Sequence, residues 1–120
     1  MATRIIAVDP FDLVVFGATG DLATRKLLPA LYQRDRGGQL PAEGRIVGVA
    51  RRAMGDGEFQ ALARKAIEEH VGPADLDEAV LGRFVDRVSY VAADAQSEAG
   101  WPDLAAKLGT APGRIRVYYL

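Results

Sequence analysis

Apolar positions along the chain follow two alternating spacings. Phe11 to Phe16, FDLVVF, is a short apolar run rich in β-formers, the pattern of a strand buried on both faces of a parallel sheet. Arg45 to Ala50, RIVGVA, and Val88 to Ala92, VSYVA, repeat that pattern, and Ile115 to Leu120 gives a fourth bulky run. Between these runs the apolar residues recur at helical spacing. Leu22, Leu27, Leu28 and Leu31 mark a helix from about Asp21 to about Arg36, and Phe59, Leu62, Ala63, Ala66 and Ile67 mark another through His70. Leu76, Val80, Leu81, Phe84 and Val85 form the stripe of a third, and Trp101, Leu104, Ala105 and Leu108 that of a fourth.

Glycine, proline and capping residues divide these elements. Residues 1 to 10 read as a lead-in, with Pro10 turning into the first strand. Pro29 falls inside the first helix, where its missing N–H is expected to kink the helix or divide it near Leu28. Gly37 and Gly38 stop that helix, and Pro41 and Gly44 continue the loop. Asp56, flanked by Gly55 and Gly57, starts the second helix, and Gly72-Pro73 breaks the chain after it. Asp75 and Ser97 are the expected N-caps of the third and fourth helices, the last of which ends before Gly109.

Strands that alternate with helices require parallel pairing through right-handed crossovers. The expected architecture is therefore α/β, a Rossmann-type doubly wound parallel sheet of four strands in the order 3-2-1-4. At 120 residues and 49% hydrophobic, the chain has room for one domain, residues 1 to 120.

The switch point of such a sheet falls at Gly17-Ala18-Thr19-Gly20, where the first strand turns directly into a helix. The first turn of a helix presents N–H groups without intrahelical acceptors and the positive end of the macrodipole, so an anion is held there by the backbone itself. Gly17 suits a left-handed turn, and Gly20 lets a diphosphate approach closely. Ala23 supplies the third small residue, for packing of helix on strand, in a Gly-x-x-Gly-x-x-Ala variant of the dinucleotide fingerprint.

Composition narrows the partners. The formal net charge of −1 recommends neither nucleic acid nor an anionic membrane. With no Cys there is neither a disulfide framework nor a thiolate metal site, and no metal is expected. No apolar stretch approaches the roughly 20 residues of a membrane span, and MATRIIAVDP is too weak for a secretory signal, so the expected location is cytoplasmic.

In a dinucleotide fold the residue ending the second strand meets the adenosine ribose, where a carboxylate accepts the 2′-hydroxyl of NAD. Arg51 stands there instead, and a guanidinium bonds a 2′-phosphate in fork geometry and stacks on adenine. The expected coenzyme is therefore NADP, with Arg52 assisting if its side chain turns the same way. Arg51 lies further from the glycines than the usual spacing of about 20 residues, and the loop from Gly37 to Gly44 accounts for the extra length.

GATGDLATRKLLPALYQ, the loop residues GGQLP and the strand IVGVARR together resemble the N-terminal coenzyme domain of the glucose-6-phosphate dehydrogenase family. Gly-Asp-Leu-Ala followed by a Lys-Leu pair and Pro is far more specific than the glycines alone, and YVAAD and RVYYL extend the resemblance over essentially the whole chain. The resemblance implies that Gly17, Ala18, Thr19, Gly20, Asp21, Leu22 and Ala23 hold the coenzyme diphosphate and that Arg51 binds the 2′-phosphate. Thr24 stands where the family usually has a Lys, which leaves it a backbone contact. Asp94 and Ala95 match a pair that lies against the adenine, although Asp94 also suits a strand-end turn. Lys26 matches a lysine near the sugar phosphate and reads equally well as a solvated helix charge.

The implied reaction is oxidation of D-glucose 6-phosphate to 6-phosphoglucono-1,5-lactone with hydride transfer to NADP, in the oxidative pentose phosphate pathway and in a homo-oligomeric parent. The family continues past the fourth strand into an Asp-His-Tyr-Leu-Gly-Lys motif that carries the catalytic base. This chain stops at Leu120, so the expectation is a coenzyme-binding portion truncated before the substrate domain, with no catalytic residue of its own and inactive alone. The only histidine, His70, reads as a surface residue. Two rival readings are a non-catalytic NADP-sensing module and a short-chain reductase. The first should end in a complete fold rather than mid-pattern at Tyr118-Tyr119-Leu120, and the second needs a Tyr-x-x-x-Lys pair that the chain lacks.

Overall fold

The computed structural model describes residues 11–40, 44–94, 100–108 and 115–119. Strands β1 (Phe11–Phe16), β2 (Arg45–Ala50) and β3 (Val88–Ala92) form a parallel sheet with β2 in the middle, Leu13 standing opposite Ile46 and Gly48 opposite Tyr90. The backbone of β4 (Ile115–Tyr119) runs parallel to β1 along its other side, with Phe11 opposite Ile115. The bounds of β1, β2 and β3 are those of the three apolar runs. A helical segment that includes α1 (Leu28–Arg36) joins β1 to β2, α2 (Asp56–His70) and α3 (Glu78–Asp86) join β2 to β3, and α4 (Trp101–Leu108) follows β3. Residues 1–10, Pro41, Ala95, the expected cap Ser97, Gly109 and Leu120 lie outside the described residues.

Side chains alternate across a strand, so each strand feeds two cores. Leu13, Val15, Ile46, Val88 and Tyr90 point to the face covered by α1, α2 and α3, where Tyr32, Phe59, Ile67, Leu81 and Phe84 are buried against them. Val14, Val47, Val49 and Val91 point to the opposite face, which Leu104 of α4 covers with Trp101 and Phe16 at its margin. Helices on both faces explain why the strands read as continuous apolar runs. Ala105, expected to face inward, is exposed, while Leu104 is buried and Trp101 partly so; the Leu108 side chain lies outside the described residues.

Pro29 leaves its mark on the first helix without dividing it. Residues Ala23–Leu27 form a π turn that continues directly into α1, and the Leu28 N–H donates to the Ala23 carbonyl one residue further back than in an α-helix. A proline has no N–H for the carbonyl four residues earlier and crowds it, so widening the preceding turn relieves the clash while keeping the helix continuous. The helix ends in a Schellman motif, with Gly38 at φ 73° and the N–H of Gln39 bonded to the Arg34 carbonyl at 2.9 Å. The cap of α3 is Asp77, whose Oδ1 accepts from the N–H groups of Ala79 and Val80, and not Asp75. Asp75 lies in a short 3-10 turn, Pro73–Asp75, that fastens to α1: Tyr32 Oη donates to its carbonyl at 2.7 Å and Gln33 Nε2 to its carboxylate at 3.0 Å.

Buried charge ties the elements together at the end of the sheet where the strands begin. Asp12, fully buried in β1, accepts two bonds of 2.7 Å from Arg45 at the start of β2. That bonding raises the Arg45 guanidinium above its already high ordinary value, with desolvation acting the other way. Asp35 of α1 is buried and lies 3.4 Å from the guanidinium groups of both Arg83 and Arg87, which joins α1 to α3 and the start of β3.

Among the described residues β3 pairs with β2 alone, and side chains from neighbouring helices bond backbone groups on its other edge. The Tyr90 N–H donates to Asp56 Oδ1 at 2.8 Å, Lys107 Nζ donates to the Tyr90 carbonyl at 3.2 Å, and Gln60 Nε2 donates to the Val88 carbonyl at 2.9 Å. Lys107 and Asp56 pair with each other at 2.6 Å, so one ion pair joins α2, α4 and the strand edge. Side chains bonded along an edge in this way blunt its capacity to template pairing with another chain.

Two predictions follow from these contacts. A Cβ at Gly48 would lie 2.5 Å from the Phe59 ring and 2.9 Å from Ala18 Cβ. Gly48→Ala should therefore cost about 1–3 kcal/mol by overpacking, read as a lower urea midpoint with an unchanged slope. Burial is the largest influence on the Asp56 carboxyl and opposes its ionisation, yet the bonds from Lys107 and the Tyr90 N–H, with the charge of Lys107, outweigh it and hold the carboxyl below its ordinary value. A carboxyl with a lower folded than unfolded pKa contributes stability that is present above the unfolded value and is lost as pH falls through the folded one. Asp56→Asn should thus weaken the chain at neutral pH and flatten the acid limb of its stability profile; denaturant unfolding at a series of pH values checks this, and an unchanged acid limb would count against it.

Candidate functional site

The turn after β1 is set by two glycines with different tasks. Gly17 has φ 69°, in the left-handed region, and a Cβ there would meet nothing within 4 Å, so glycine is required by backbone conformation alone. At Gly20 a Cβ would lie 3.1 Å from the Gly17 carbonyl oxygen, which already accepts the Gly20 N–H at 2.9 Å. Between them Ala18 is buried: its N–H donates to the Val49 carbonyl at 3.2 Å and its methyl sits over Gly48. The first helical bond runs from the Thr24 N–H to the Gly20 carbonyl at 3.0 Å, so the N–H groups of Asp21, Leu22 and Ala23 precede it at the N-terminal end.

A cleft of about 500 Å³ opens at the C-terminal ends of β1, β2 and β3. Phe16, Gly17, Thr19 and Gly20 form one wall, Val49, Ala50, Arg51 and Arg52 the second, and Ala93 and Asp94 the third. Among the described residues that line it there is no histidine, and Asp94 is the one carboxylate. Arg51 and Arg52 are exposed, and among the described residues the Arg51 guanidinium has no hydrogen-bond or ion-pair partner. The cleft therefore joins a backbone anion site to an unpaired planar cation, with room for a nucleotide between them.

The structure brings Gly17, Thr19, Gly20, Arg51 and Asp94 of the expected site to this one cleft. Ala18 and Ala23 are buried beneath it, where they set how closely the turn approaches the sheet. Leu22 is 60% exposed, the one large apolar side chain so exposed among the described residues. Asp21 and Thr24 line a separate shallow groove against α2, with Arg25, Lys65 and His70. There the Asp21 carboxylate pairs with Arg25 at 3.1 Å, and the Thr24 hydroxyl donates back to the Gly20 carbonyl at 3.0 Å. Lys26 is exposed on the π turn and does not line the cleft. His70 is exposed at the end of α2, outside the cleft.

Two residues that the pattern of the sequence does not single out also shape the site. Gly48 lies in the middle of β2, and a lone glycine inside a strand pattern is the available signal for close approach of another group. Tyr90, buried in β3, reaches the end of β2, where its hydroxyl contacts the carbonyls of Ala50, at 3.1 Å, and Arg52. Burial pushes its phenol above the ordinary value, with the charge of Arg52 opposing.

Comparison with known proteins agrees with this geometry. Residues 14–120 match the family described as "Glucose-6-phosphate dehydrogenase, NAD binding domain". The chain is 46% identical over 120 residues to glucose-6-phosphate 1-dehydrogenase of Rhizobium meliloti (strain 1021), covering 100% of this chain and 24% of that protein. It is 44% identical over 117 residues to the enzyme of the same name from Mycolicibacterium smegmatis, covering 94% of this chain and 24% of that one. Among solved structures, glucose-6-phosphate 1-dehydrogenase from Mycobacterium avium superposes with a TM-score of 0.77 at 30% identity, over 95% of this chain and 24% of that one. A glucose-6-phosphate dehydrogenase in complex with its substrate glucose-6-phosphate gives 0.74 at 28% identity, over 100% of this chain and 26% of that one. The chain thus spans about a quarter of the length of the curated relatives it matches. It belongs to the glucose-6-phosphate dehydrogenase family and corresponds to that family's NAD binding domain.

Proposed function

We propose that the chain is the NADP-binding portion of a glucose-6-phosphate dehydrogenase that oxidises D-glucose 6-phosphate to 6-phosphoglucono-1,5-lactone. On this reading residues 1–120 form one Rossmann-type, doubly wound domain whose four strands take the order 3-2-1-4. The parent is a cytoplasmic homo-oligomer whose catalytic groups, and whose substrate-binding groups apart from Lys26, lie outside these residues. The observation that carries the proposal is the cleft at the strand ends, where the glycine turn and Arg51 face the same space.

The residues present fit a dinucleotide. The left-handed Gly17 and the missing Cβ at Gly20 leave the helix N-terminus open to a diphosphate, which the N–H groups at Asp21, Leu22 and Ala23 would hold. Arg51 would bind the 2′-phosphate in fork geometry, with Arg52 beside it. Asp94, with Ala95, would lie against the adenine. Bound NADP supplies the hydride-accepting nicotinamide, and the part of this chain is to bind and orient it. Lys26, exposed on the helix that leads away from the turn, is proposed to approach the sugar phosphate in the complete enzyme.

Calorimetric titration of the chain with NADP and with NAD tests the proposal. A charge-assisted bond to the 2′-phosphate should give roughly a ten- to hundredfold preference for NADP, and Arg51→Ala should abolish that preference while leaving residual binding through the turn. A chain shown to be folded by circular dichroism that binds neither nucleotide would refute it. Because the described residues that line the cleft include no general base beyond Asp94, the chain that binds NADP should form no NADPH from glucose 6-phosphate; turnover by this chain alone would refute its assignment as a coenzyme-binding portion.

A further inference from the structure

We propose that Tyr90 is a positioning residue for coenzyme preference, acting through Arg51; the inference rests on the assignment of Arg51 to the 2′-phosphate. The Ala50 carbonyl belongs to the peptide unit that enters Arg51 and the Arg52 carbonyl to the unit that leaves Arg52, and the Tyr90 hydroxyl contacts both. The first carbonyl is tied a second time, accepting the Ala93 N–H at 2.9 Å. For the second, Tyr90 Oη is the one hydrogen-bonding partner given by the described residues. The two-residue segment that carries Arg51 and Arg52 is thus held at its entry and its exit by contacts with one side chain from the neighbouring strand, while the Arg51 guanidinium itself is left unpaired.

Tyr90 is held firmly enough to serve as that anchor. Its residue is 4% exposed, and its ring packs on the ring of Phe59 with centroids 5.1 Å apart. Its backbone is fixed on the outer edge of β3 by Asp56 and Lys107. The chain of contacts runs from α2 and α4 through Tyr90 to the bend at residues 51 and 52, and it ends at the wall of the cleft. A guanidinium on a long side chain loses little of its charge by moving, but it loses fork geometry toward a phosphate, and a fixed backbone limits that movement. NAD, which has no 2′-phosphate, makes no such demand on residue 51.

Tyr90→Phe keeps the ring and removes the hydroxyl, so it separates anchoring from packing. The measurements are the affinities of the full chain for NADP and NAD in four forms: unaltered, Tyr90→Phe, Arg51→Ala and the double variant. The expected result is about a tenfold loss of NADP affinity in Tyr90→Phe with NAD affinity changed by less than about twofold. In the Arg51→Ala background, Tyr90→Phe should then change NADP affinity by less than about twofold, because the two act as one unit. The inference is overturned if Tyr90→Phe leaves NADP affinity unchanged, weakens both coenzymes equally, keeps its full effect without Arg51, or fails to fold by circular dichroism. If instead Arg51→Ala retains the preference for NADP, the assignment of Arg51 itself fails, an outcome distinct from retention of that preference in Tyr90→Phe alone.

Discussion

The absence of a side chain at Gly48 is the constraint on which the cleft depends. Gly48 sits in the middle strand of β1, β2 and β3, where a β-branched residue would ordinarily be favoured. The space left there is filled from two directions, by the methyl of Ala18 and by the ring of Phe59. The first contact lets the turn after β1 lie close to β2, close enough for the Ala18 N–H to bond the Val49 carbonyl. The second seats α2 and gives Tyr90 a ring to pack on. The height of the glycine turn, the seating of α2 and the position of the β2 terminus therefore trace to one missing Cβ.

Polar groups then fix what apolar packing leaves free to slide. At the end of the sheet where the strands begin, the bidentate Arg45–Asp12 pair locks β1 against β2 in register. Along the outer edge of β3, Asp56, Lys107 and Gln60 bond backbone groups of the strand, so the helices that cover the two faces of the sheet are both tied to its edge. At the far end the carbonyls of Val49, Ala50 and Arg52 are each bonded, the first by the glycine turn, the second by the Ala93 N–H, the third by the Tyr90 hydroxyl, which also contacts the second. Burying such groups is tolerated because their partners are met within the fold, and each bond also fixes the direction of the chain at the mouth of the cleft.

What the sequence made legible follows from the physics of each feature. Strand runs buried on both sides carry an unbroken apolar signal, so β1, β2 and β3 are read to the residue, and the glycines of the turn announce a conformation few other residues adopt. Contacts made through the backbone or between distant side chains carry no periodic signal. Asp12 lies inside an apolar run, and nothing local reveals that Arg45, remote in sequence, answers its charge. Asp75 reads as the cap of α3 in sequence, but Asp77 takes that place; the buried Tyr32 holds both, donating to the carbonyl of the first and accepting the N–H of the second. Pro29 signals a disturbed helix, but whether the chain breaks or widens depends on its neighbours, and with Leu28 and Leu31 buried against the sheet side the continuous π turn keeps both in place. At the site, Gly17, Gly20 and Arg51 are legible because their chemistry is local, whereas Tyr90 becomes visible only when β3 is placed beside β2.

On the functional reading proposed above, recognition of the dinucleotide divides between backbone and side chain. A diphosphate held by helix N–H groups cannot distinguish NAD from NADP, since both carry it. Discrimination falls to whatever meets the ribose, and the second wall of the cleft offers Arg51 and Arg52 for that purpose. Both guanidinium groups face water, where salt screens attraction over a distance of about 8 Å at physiological ionic strength. General attraction is also weak in a chain whose net charge is −1. Preference for a 2′-phosphate must then come from short, directed bonds, and these depend on where the backbone of residue 51 is held more than on how many cations stand nearby. An arginine on a two-residue segment held at both its entry and its exit satisfies that requirement, and the anchoring belongs to the same packing around Gly48 that positions the glycine turn.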